Sequence, residues 1–570
     1  MTRKILALVI AVMMVATMSA FTAFAENATT AATSQEDVSA LLTGAGLEVG
    51  ADGNYRFTDT RKITMEVFDR GLDGGKTVSH DNKWTQWIHD NVLAQHNIDV
   101  EYQPVDRWTE VDQLNNLLAA GDAPDVCVTY DYATIQNYAK MGGVIDLSQY
   151  VDKYKPILGN LWGLLGDANV NWDRDPNTGS LWALEALLAV NTRINTFVRQ
   201  DWLDKLGLSA PTTIDEFEAM LQAFKDNAEK LLGADADKMV PFSISYDVGW
   251  RADHLAAAFV PHAITDQQMY VYGFDDRHLL FPGYKEAIRK LNDWYNKGLI
   301  WQDFALYGNG DTTEDSNMKA GYVGAFIHNW DYPYRDGDNG VTGNLHTLVG
   351  PDANYVAVSC FKDDAGTYRK FLSAPVDRKV FLTASNTEPV ASLLYLDFIS
   401  NPQNIMFLQI GEEGKTHVTL PDGTIQNISG KEGSDPEWIQ NSLNNIDYTI
   451  TNNGLNLGGD MELTLKSIAT GYAGVDPALI AKAYAATTLD ARIGKHVSVG
   501  EVEAEVGMSN PLSEKRNILL DNAIIASPEN FDKVYDEGMA DYLASGGQAI
   551  IDGRQAAWNT VYGADTTMLP

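Results

Sequence analysis

Ile63-Thr64-Met65-Glu66-Val67-Phe68 is the stretch that decides the fold, because a regular alternation of strands and helices begins with it. Ile63, Met65 and Val67 alternate with the other three residues, and a period of two residues is typical of a strand. A helix predicted over about 83–95 follows, then an alternating strand over 98–102 and a helical stretch that ends at Gly121. An apolar strand over 126–130 comes next. Strand, helix, strand, helix, strand predicts a parallel sheet with crossover helices, so the fold class is α/β.

Two helix starts farther along the chain show the same kind of organisation. Thr213 and Glu216 have the spacing of a capping box, and the apolar residues that follow share one helical face: Phe217, Met220, Leu221 and Phe224. A second helix is predicted from Pro389, with its end at Asn401-Pro402. No short internal repeat is present, which argues against a solenoid and against a purely structural surface protein.

Length and composition indicate an ordinary globular protein of more than one domain. The chain has 570 residues, of which 45% are hydrophobic and 21% are charged. Its formal net charge of −35 makes nucleic acid an unsuitable partner, because phosphate binding requires a basic face. A solvated acidic surface that keeps an exported protein soluble explains this charge.

The N-terminus has the pattern of a signal peptide over residues 1–25. Arg3 and Lys4 form its positive region, the apolar stretch begins at Ile5, and Ala23-Phe24-Ala25 is a small-x-small cleavage site. A membrane anchor is the alternative, since the apolar run is almost long enough to span a bilayer. No Cys stands near the cleavage site, so attachment of a lipid there is not expected. We therefore expect an extracellular, surface-associated protein.

The chain has two cysteines, Cys127 and Cys360, and each lies in an apolar, strand-like run. Two buried free thiols are the favoured interpretation. A disulfide between them remains the alternative, because sequence alone does not show which residues meet. Residues 26–60 are rich in Ala, Thr, Ser and Gly and lack periodicity, so we predict a flexible N-terminal segment there.

Four stretches resemble the extracellular solute-binding proteins of carbohydrate ABC importers, particularly the long form that is common in Firmicutes. Their order and spacing extend over about 63–414, and they are Gly121-Asp122-Ala123-Pro124-Asp125-Val126, Gly142-Gly143-Val144-Ile145-Asp146-Leu147, Arg199-Gln200-Asp201-Trp202-Leu203-Asp204-Lys205-Leu206-Gly207-Leu208, and Asp293-Trp294-Tyr295-Asn296-Lys297-Gly298-Leu299-Ile300.

The resemblance implies a two-lobed periplasmic-binding-protein-like fold in which the ligand is enclosed in a cleft between the lobes. Carried over to this chain, lobe 1 covers 61–190 and 350–400, and lobe 2 covers 191–349 and 401–570. It also implies an oligosaccharide ligand, hinge closure around that ligand, and delivery to the permease subunits of an ABC importer. A monomer without a cofactor is expected.

A sugar site needs flat aromatic rings and planar polar groups, because sugars present both apolar C–H faces and hydroxyls. The chain has 13 Trp and 25 Tyr, and several stretches combine rings with polar groups in loop-like context. The predicted substrate-binding residues are Asp69, Arg70, Trp84, Tyr130, Asp131, Glu185, Trp250, Arg251, Trp330 and Tyr332. The resemblance favours Asp131 as a hydroxyl-binding carboxylate and Trp330 as a stacking ring. Trp202 and Trp294 lie inside helical patterns and are assigned to the core.

Two stretches resemble a phosphate-binding loop and a calcium loop, but each lacks residues that the motif requires. Gly75-Lys76-Thr77 follows a strand, but position 70 is Arg where a phosphate-binding loop needs its first Gly. Residues 173–179 alternate oxygen-bearing side chains as a calcium loop does, yet the Gly comes one place late and no closing Glu follows. A hairpin turn is the better prediction there. No metal site is predicted.

A secreted carbohydrate hydrolase or lyase is the alternative function. Such an enzyme needs two carboxylates that face each other across a cleft, and a chain this acidic offers many candidate pairs. The chain contains neither H-E-x-x-H nor G-x-S-x-G, and its ten His lack ligand spacing. We therefore predict a binding protein and not an enzyme; a peptide or a uronate remains open as the ligand.

Overall fold

A computed structural model describes residues 35–70, 78–274, 277–308, 311–335, 337–428, 445–472 and 475–563. The predicted signal peptide and the loop 71–77 lie outside the described residues. The chain divides into one unit up to Thr58 and a second from Asp59 onwards.

The described part of the first unit consists of a helix and a hairpin. The helix is Gln35–Ala45, and strand β1, Leu47–Val49, pairs with β2, Tyr55–Phe57, in antiparallel register. Gly53 takes a φ of +84° in the turn between them. The predicted flexible segment over 26–60 thus contains a helix and a hairpin that the sequence analysis did not foresee, because a hairpin with only three residues in each strand leaves no long periodic pattern in the sequence.

The second unit contains fourteen strands among its described residues: β3 Arg61–Asp69, β4 Ile98–Asp106, β5 Val126–Thr129, β6 Leu184–Leu188, β7 Ile194–Arg199, β8 Val240–Ser243, β9 Val323–Asn329, β10 Tyr355–Val358, β11 Phe371–Leu372, β12 Val376–Leu382, β13 His417–Thr419, β14 Ile425–Asn427, β15 Asn452–Asn453 and β16 Arg492–Ile493. Its α-helices are Lys83–His96, Glu110–Ala120, Tyr132–Lys140, Ser148–Tyr154, Gly159–Val170, Gln200–Leu206, Ile214–Asp226, Ala228–Leu232, Val248–Arg251, Asp253–Ala256, Asp266–Tyr272, Tyr284–Asn296, Thr313–Lys319, Val341–Leu348, Pro389–Ile399, Pro402–Ile410, Met461–Thr470, Pro477–Thr487, Ser509–Ile525, Phe531–Tyr542 and Gln548–Tyr562.

Two separate sheets organise the second unit. The larger sheet has the order β15-β6-β12-β5-β3-β4, in which β3 runs parallel to β4 and to β5 while β12 is antiparallel to both of its neighbours. The smaller sheet has the order β10-β7-β9-β8. Each sheet carries its own apolar core, around Cys127 and Phe381 in the first and around Phe197 and Phe326 in the second. This is the architecture of a two-lobed α/β protein, and it confirms the predicted fold class.

The chain crosses from one sheet to the other between β6 and β7, again through β11 between β10 and β12, and a third time after β15. These crossings differ from the predicted lobe boundaries in two places. Strand β10 lies after residue 350 but pairs with β7 in the smaller sheet, and β15 lies after residue 401 but pairs with β6 in the larger one. The sequence pattern identifies a strand, but only the tertiary structure shows which sheet it joins.

The predicted helix starts and buried residues agree with the structure. Thr213 is the N-cap of Ile214–Asp226, and its side chain accepts a hydrogen bond from the Glu216 amide. The Glu216 carboxylate binds Thr212 instead of closing the box on Thr213. Trp202 and Trp294 are fully buried, and Cys127 and Cys360 are both buried and free, as predicted. Within the described ranges, no helix combines the length and the apolar character that a membrane span requires.

Candidate functional site

The edges at which parallel strands end are the natural place for a ligand in an open α/β sheet. In the larger sheet, β3, β4 and β5 end at Asp69, Asp106 and Thr129, on one common edge. In the smaller sheet, the parallel strands β8 and β9 end at Ser243 and Asn329. The loops and helices that follow these edges carry the polar and aromatic side chains described below.

A cavity of about 380 Å³ lies beside the helix that follows β5, and we call it the cleft cavity. Its lining includes four aromatic side chains, Tyr132, Trp172, Trp182 and Tyr270. Tyr132 and Trp182 pack on the core of the larger sheet, whereas Tyr270 belongs to helix Asp266–Tyr272 and contacts Trp558 at 5.9 Å between ring centroids. The remaining lining residues come from the loop 172–180, from the helix Tyr132–Lys140 and from the segment 497–505. Distant parts of the chain therefore form the walls together.

Trp172 is the ring that connects two of these walls. Its indole stacks on the imidazole of His496, with ring centroids 4.2 Å apart and planes at 28°. His496 Nε2 also donates to the carbonyl oxygen of Trp172, and Ser498 Oγ donates to the carbonyl oxygen of Arg174 at 2.9 Å. These contacts fix the segment 496–498 against the loop that presents Trp172.

The loop after Trp172 is a hairpin turn, as predicted. The Asp175 amide donates to the Ser180 carbonyl at 2.8 Å, and Gly179 takes a φ of +77°. Asp175 Oδ1 accepts from the amides of Asn177 and Thr178, at 2.7 and 3.0 Å. Its carboxylate is thus engaged by the turn itself. Nowhere in the described part of the chain do three His, Cys, Asp or Glu side chains lie close enough together to hold a metal ion.

Two neighbouring carboxyl groups, one half-buried and one buried, lie at the wall of the cleft cavity. Asp173 lines the cavity, and Glu185 lies beside it on β6, with Lys379 Nζ 3.6 Å from Glu185 Oε1. Burial raises the pKa of both carboxyl groups above their ordinary range, and the proximity of each to the other raises that of Glu185 further. The charge of Lys379 acts in the opposite direction and lowers the pKa of both groups. Glu185 is buried and does not reach the cavity surface.

Acidic groups outnumber basic groups in the lining of the cleft cavity. The carboxyl groups are those of Asp173, Asp175, Glu501 and Glu505, and the cations are Lys140 and Arg174. Both cations are already paired: Lys140 with Glu501, and Arg174 with Asp152 at 2.8 Å. Behind the lining, Arg554 pairs with Glu505 at 2.5 Å. The cavity therefore offers polar groups without an unpaired positive charge.

The structure corrects four of the predicted contact residues, because they are buried: Glu185, described above, and three that lie in the protein's interior. Trp84 is fully buried and packs edge-on against Phe407. Arg251 is fully buried, paired with Glu314, and donates to the carbonyl oxygens of Ser245 and Ile327.

Trp330, the third, is only 7% exposed and packs in the core of the smaller sheet. Each of these side chains stabilises the protein's interior, and none presents a face to the cavity.

The other predicted residues lie near the sheet edges, outside the lining of the cleft cavity. Arg70 is held by Asp447 through two hydrogen bonds of 2.7 and 2.8 Å, next to the exposed Asp69. Asp131 is an N-cap whose carboxylate accepts from Ala133 and Thr134.

Three aromatic residues complete this group. Tyr130 lies under the Arg107 guanidinium, 4.3 Å from its ring centroid. Trp250 and Tyr332 are half-buried around His328, with ring-centroid distances of 5.7 and 3.5 Å, and Tyr332 donates to Asp315. A role for these exposed or half-buried residues in ligand contact stays a prediction.

Sequence reasoning missed Trp172, Trp182 and Tyr270. One signal was available, since Trp172 and Trp182 flank the polar turn 173–180 on both sides. Tyr270 carries no such signal, because only the tertiary structure brings its helix to the cavity.

Comparison with known proteins gives the same architecture. Among solved structures, the alginate-binding protein AlgQ2 superposes with a TM-score of 0.57 over 88% of this chain and 98% of its own, at 16% sequence identity. The substrate-binding protein FusA of S. pneumoniae, solved in complex with kestose, superposes with a TM-score of 0.56 over 89% of this chain and all of its own, at 14% identity. At these identities the likeness concerns the fold alone.

Curated relatives match at the level of sequence. The fructooligosaccharide ABC transporter substrate-binding protein FusA of Streptococcus pneumoniae serotype 4 is 28% identical over 273 residues, 43% of this chain and 47% of the relative. The polygalacturonan/rhamnogalacturonan-binding protein YtcQ of Bacillus subtilis is 28% identical over 234 residues, 38% of this chain and 41% of the relative. The chain thus matches less than half the length of these relatives.

The model of one protein family, described as bacterial extracellular solute-binding protein, matches residues 87–405, which is more than half of the chain. The match begins in helix Lys83–His96. It continues through two of the crossings between the sheets, the one from β6 to β7 and the one from β10 to β12. It therefore includes most of both sheets and the loop that presents Trp172, and on this evidence the chain belongs to the family of bacterial extracellular solute-binding proteins.

Proposed function

We propose that the protein captures an oligosaccharide in the cleft cavity and delivers it to the membrane permease of an ABC importer. The observation that carries this proposal is a cavity of about 380 Å³ in which four aromatic rings stand beside several polar side chains. A volume of this order suits a small ligand. Aromatic faces stack on the C–H faces of sugar rings, and the surrounding carboxyl, amide and hydroxyl groups hydrogen-bond the sugar hydroxyls.

The charge of the lining favours a neutral saccharide over a uronate. A ligand carboxylate would find no unpaired cation in the lining, because Lys140 is paired with Glu501 and Arg174 with Asp152. Binding a uronate would require one of these ion pairs to break, since like charges in a partly desolvated site repel strongly. The name of one relative gives a fructooligosaccharide as its ligand, which is neutral, and the name of another gives polygalacturonan, which is acidic. Whether this protein binds a neutral or an acidic sugar is therefore the question to test.

Catalysis by the pair Asp173 and Glu185 is disfavoured by the geometry. A glycoside hydrolase holds its two carboxyl groups on opposite sides of the scissile bond, roughly 5–10 Å apart. Asp173 and Glu185, the raised-pKa pair at this site, lie side by side, and Glu185 is buried below the cavity. Such a pair supports the wall of the cavity and leaves no room for a sugar between its members. We propose that the protein binds its ligand without converting it.

We also propose that the protein is exported and that its signal peptide is removed. Cleavage after Ala25 would release a mature chain that begins at Glu26, and the absence of a Cys at that position leaves retention at the surface to means other than a lipid there. Intact-mass measurement of the protein recovered from the outside of expressing cells tests the cleavage site. A chain that still carries residues 1–25 would favour the membrane anchor.

The binding experiment is a thermal-shift screen of the chain from Glu26 onwards, followed by calorimetry. Matched pairs of neutral oligosaccharides and their uronate counterparts, together with peptides, serve as ligands, and samples are kept for hours to detect products. A ligand that binds only the folded protein raises its melting temperature. We expect saturable binding of a neutral oligosaccharide without turnover; product formation would establish the enzyme instead.

The site itself is tested with Trp172→Ala. Loss of an aromatic anchor of this kind weakens binding by about tenfold or more. Trp162→Ala is the matched control, because Trp162 is also half-buried but lies outside the cleft cavity. If both variants bind as the wild type does, the ligand does not occupy the cleft cavity.

A further inference from the structure

A small cavity lined by basic groups lies where the chain crosses between the two sheets, and we call it the hinge cavity. It is lined by Arg193, Asp253, His254, His278, Arg369 and Lys370, among other residues, and its volume is about 20 Å³. Arg193 stands directly before β7, and Lys370 directly before β11, so both of these crossings border it. The hinge cavity is separate from the cleft cavity.

In the lining of the hinge cavity, the cations Arg193, Arg369 and Lys370 accompany one carboxylate, that of Asp253. Outside the lining, Asp363 Oδ2 lies 3.7 Å from Arg369 Nε. Arg193 pairs with Asp253 at 2.7 Å, and His278 Nδ1 lies 3.3 Å from the same carboxylate. Arg369 donates to the carbonyl oxygens of Ala257, Val260, Pro261 and His262.

Lys370 differs from both arginines in the groups that surround its charge. Its ammonium meets the Nε2 atom of His254, whose Nδ1 atom is 2.8 Å from Thr196 Oγ1. Within the part of the chain that the structure describes, no carboxylate lies within ion-pair distance of Lys370, and Asp490 is the acidic group whose charge acts on it from beyond that distance.

A buried ammonium without a counter-ion is unfavourable, and it either loses its proton or acquires an anion. Burial lowers the pKa of Lys370 to about 7, which reflects the cost of the charge when no anion is present. The hinge cavity exceeds the roughly 10–15 Å³ that one water molecule requires. It has room for one particle of about the size of a water molecule or a halide ion.

We propose that the hinge cavity binds one small monovalent anion of the halide class, such as chloride, against the ammonium of Lys370. The ion neutralises the unmatched charge and touches both crossing segments, so it also stiffens the connection between the two sheets. This site does not depend on the proposed sugar-binding function. The charged and titratable groups that face Lys370 come from several elements, and they are Arg193, Asp253, His254, His278, Arg369 and Asp490.

The effect of the anion on stability should depend on pH, because the anion binds only the protonated form of Lys370. The folded-state pKa of Lys370 lies below the ordinary value of about 10.4, so protonation of Lys370 destabilises the fold as pH falls from about 10 to about 7. An anion that binds only the protonated form offsets this loss. Chloride should therefore stabilise the protein more at pH 6 than at pH 9.

Thermal unfolding in sodium chloride and in sodium gluconate at equal ionic strength tests the proposal, because gluconate is too large for the cavity. We expect chloride to raise the melting temperature by about 2 °C at pH 6, in a saturable manner, and to have little effect at pH 9. Lys370→Met should abolish the difference between the salts. Lys482→Met is the matched control, since Lys482 is exposed on a helix surface, and it should keep the difference.

Bromide gives a second readout that does not depend on how well the Lys370→Met variant folds. Crystals of the wild-type protein grown in sodium bromide should show an anomalous scattering peak beside Lys370 Nζ. A chloride effect that persists in Lys370→Met, or crystals without a bromide peak in the hinge cavity, would overturn the proposal.

Discussion

Individual side chains near the sheet edges differ sharply in role although they are of the same residue types. Trp172 is half-buried and lines the cleft cavity, whereas Trp330 and Trp84 are buried in the cores of the two sheets. A Trp in a loop-like sequence is therefore not sufficient evidence of a ligand contact. What distinguishes the two cases is whether the opposite face of the ring meets protein or a cavity.

Trp330→Ala should destabilise the protein, because it leaves a cavity in the core that Trp330 shares with Phe197 and Tyr334. The expected loss in the free energy of unfolding is about 3–5 kcal/mol, measured by urea denaturation. Sugar affinity of the folded fraction should be unchanged. A stable variant that has lost affinity would return Trp330 to the binding site.

Glu66→Gln should change how stability depends on pH. Burial raises the pKa of Glu66 to about 8, so the folded protein retains a proton there that the unfolded chain releases above about pH 4.3. The free energy of unfolding of the wild type should fall as pH rises from 5 to 8, and this part of the dependence should be absent in the variant.

Urea unfolding at pH 5, 6.5 and 8 measures this effect. Glu101→Gln is the control, since Glu101 is exposed on the neighbouring strand β4. Identical pH profiles for Glu66→Gln and the wild type would mean that Glu66 is already ionised in the folded protein.

At the scale of elements, local signals in the sequence determine where helices begin. Tertiary contacts determine how helices and strands pack together. Thr213 caps its helix as the sequence pattern predicts. Pro389 is the first residue of another helix, which the sequence also predicts. The turn 173–180 also follows from its Pro, Asn and Gly residues. Such signals act within a few residues, so a single sequence displays them.

Thr213→Ala should lower the free energy of unfolding by about 1 kcal/mol, because the Glu216 amide loses its acceptor. Thr213→Ser keeps the hydroxyl and should restore most of the stability. Urea denaturation of the three proteins measures the difference. Equal stability of the Ala variant and the wild type would show that Thr212 and Glu216 alone hold the helix start.

At the scale of the whole molecule, two separate sheets are connected by crossing segments, an arrangement that suits closure around a ligand. A ligand that contacts both sides of the cleft cavity favours the closed state. Small-angle X-ray scattering should therefore show a smaller radius of gyration when the chain from Glu26 onwards is saturated with its sugar. An unchanged radius of gyration with full occupancy would mean that the ligand binds without closure.

The sequence by itself determined the α/β class, the capped helices and the family resemblance, and it favoured two free thiols, which the structure confirms. These properties rest on local periodicity, on capping residues and on short motifs, all of which involve neighbours in the chain. The buried assignments of Trp202 and Trp294 followed from the same helical periodicity. The ordered hairpin of β1 and β2 escaped prediction because its strands are too short to show a period.

Only the tertiary structure decided which sheet β10 and β15 join and which aromatic residues line the cleft cavity. The four rings of that cavity lie between positions 132 and 270, and the segment 497–505 completes its wall. The hinge cavity likewise combines Arg193 with Lys370. Contacts between residues so far apart depend on how the sheets and helices pack, and no local pattern in a single sequence records that packing.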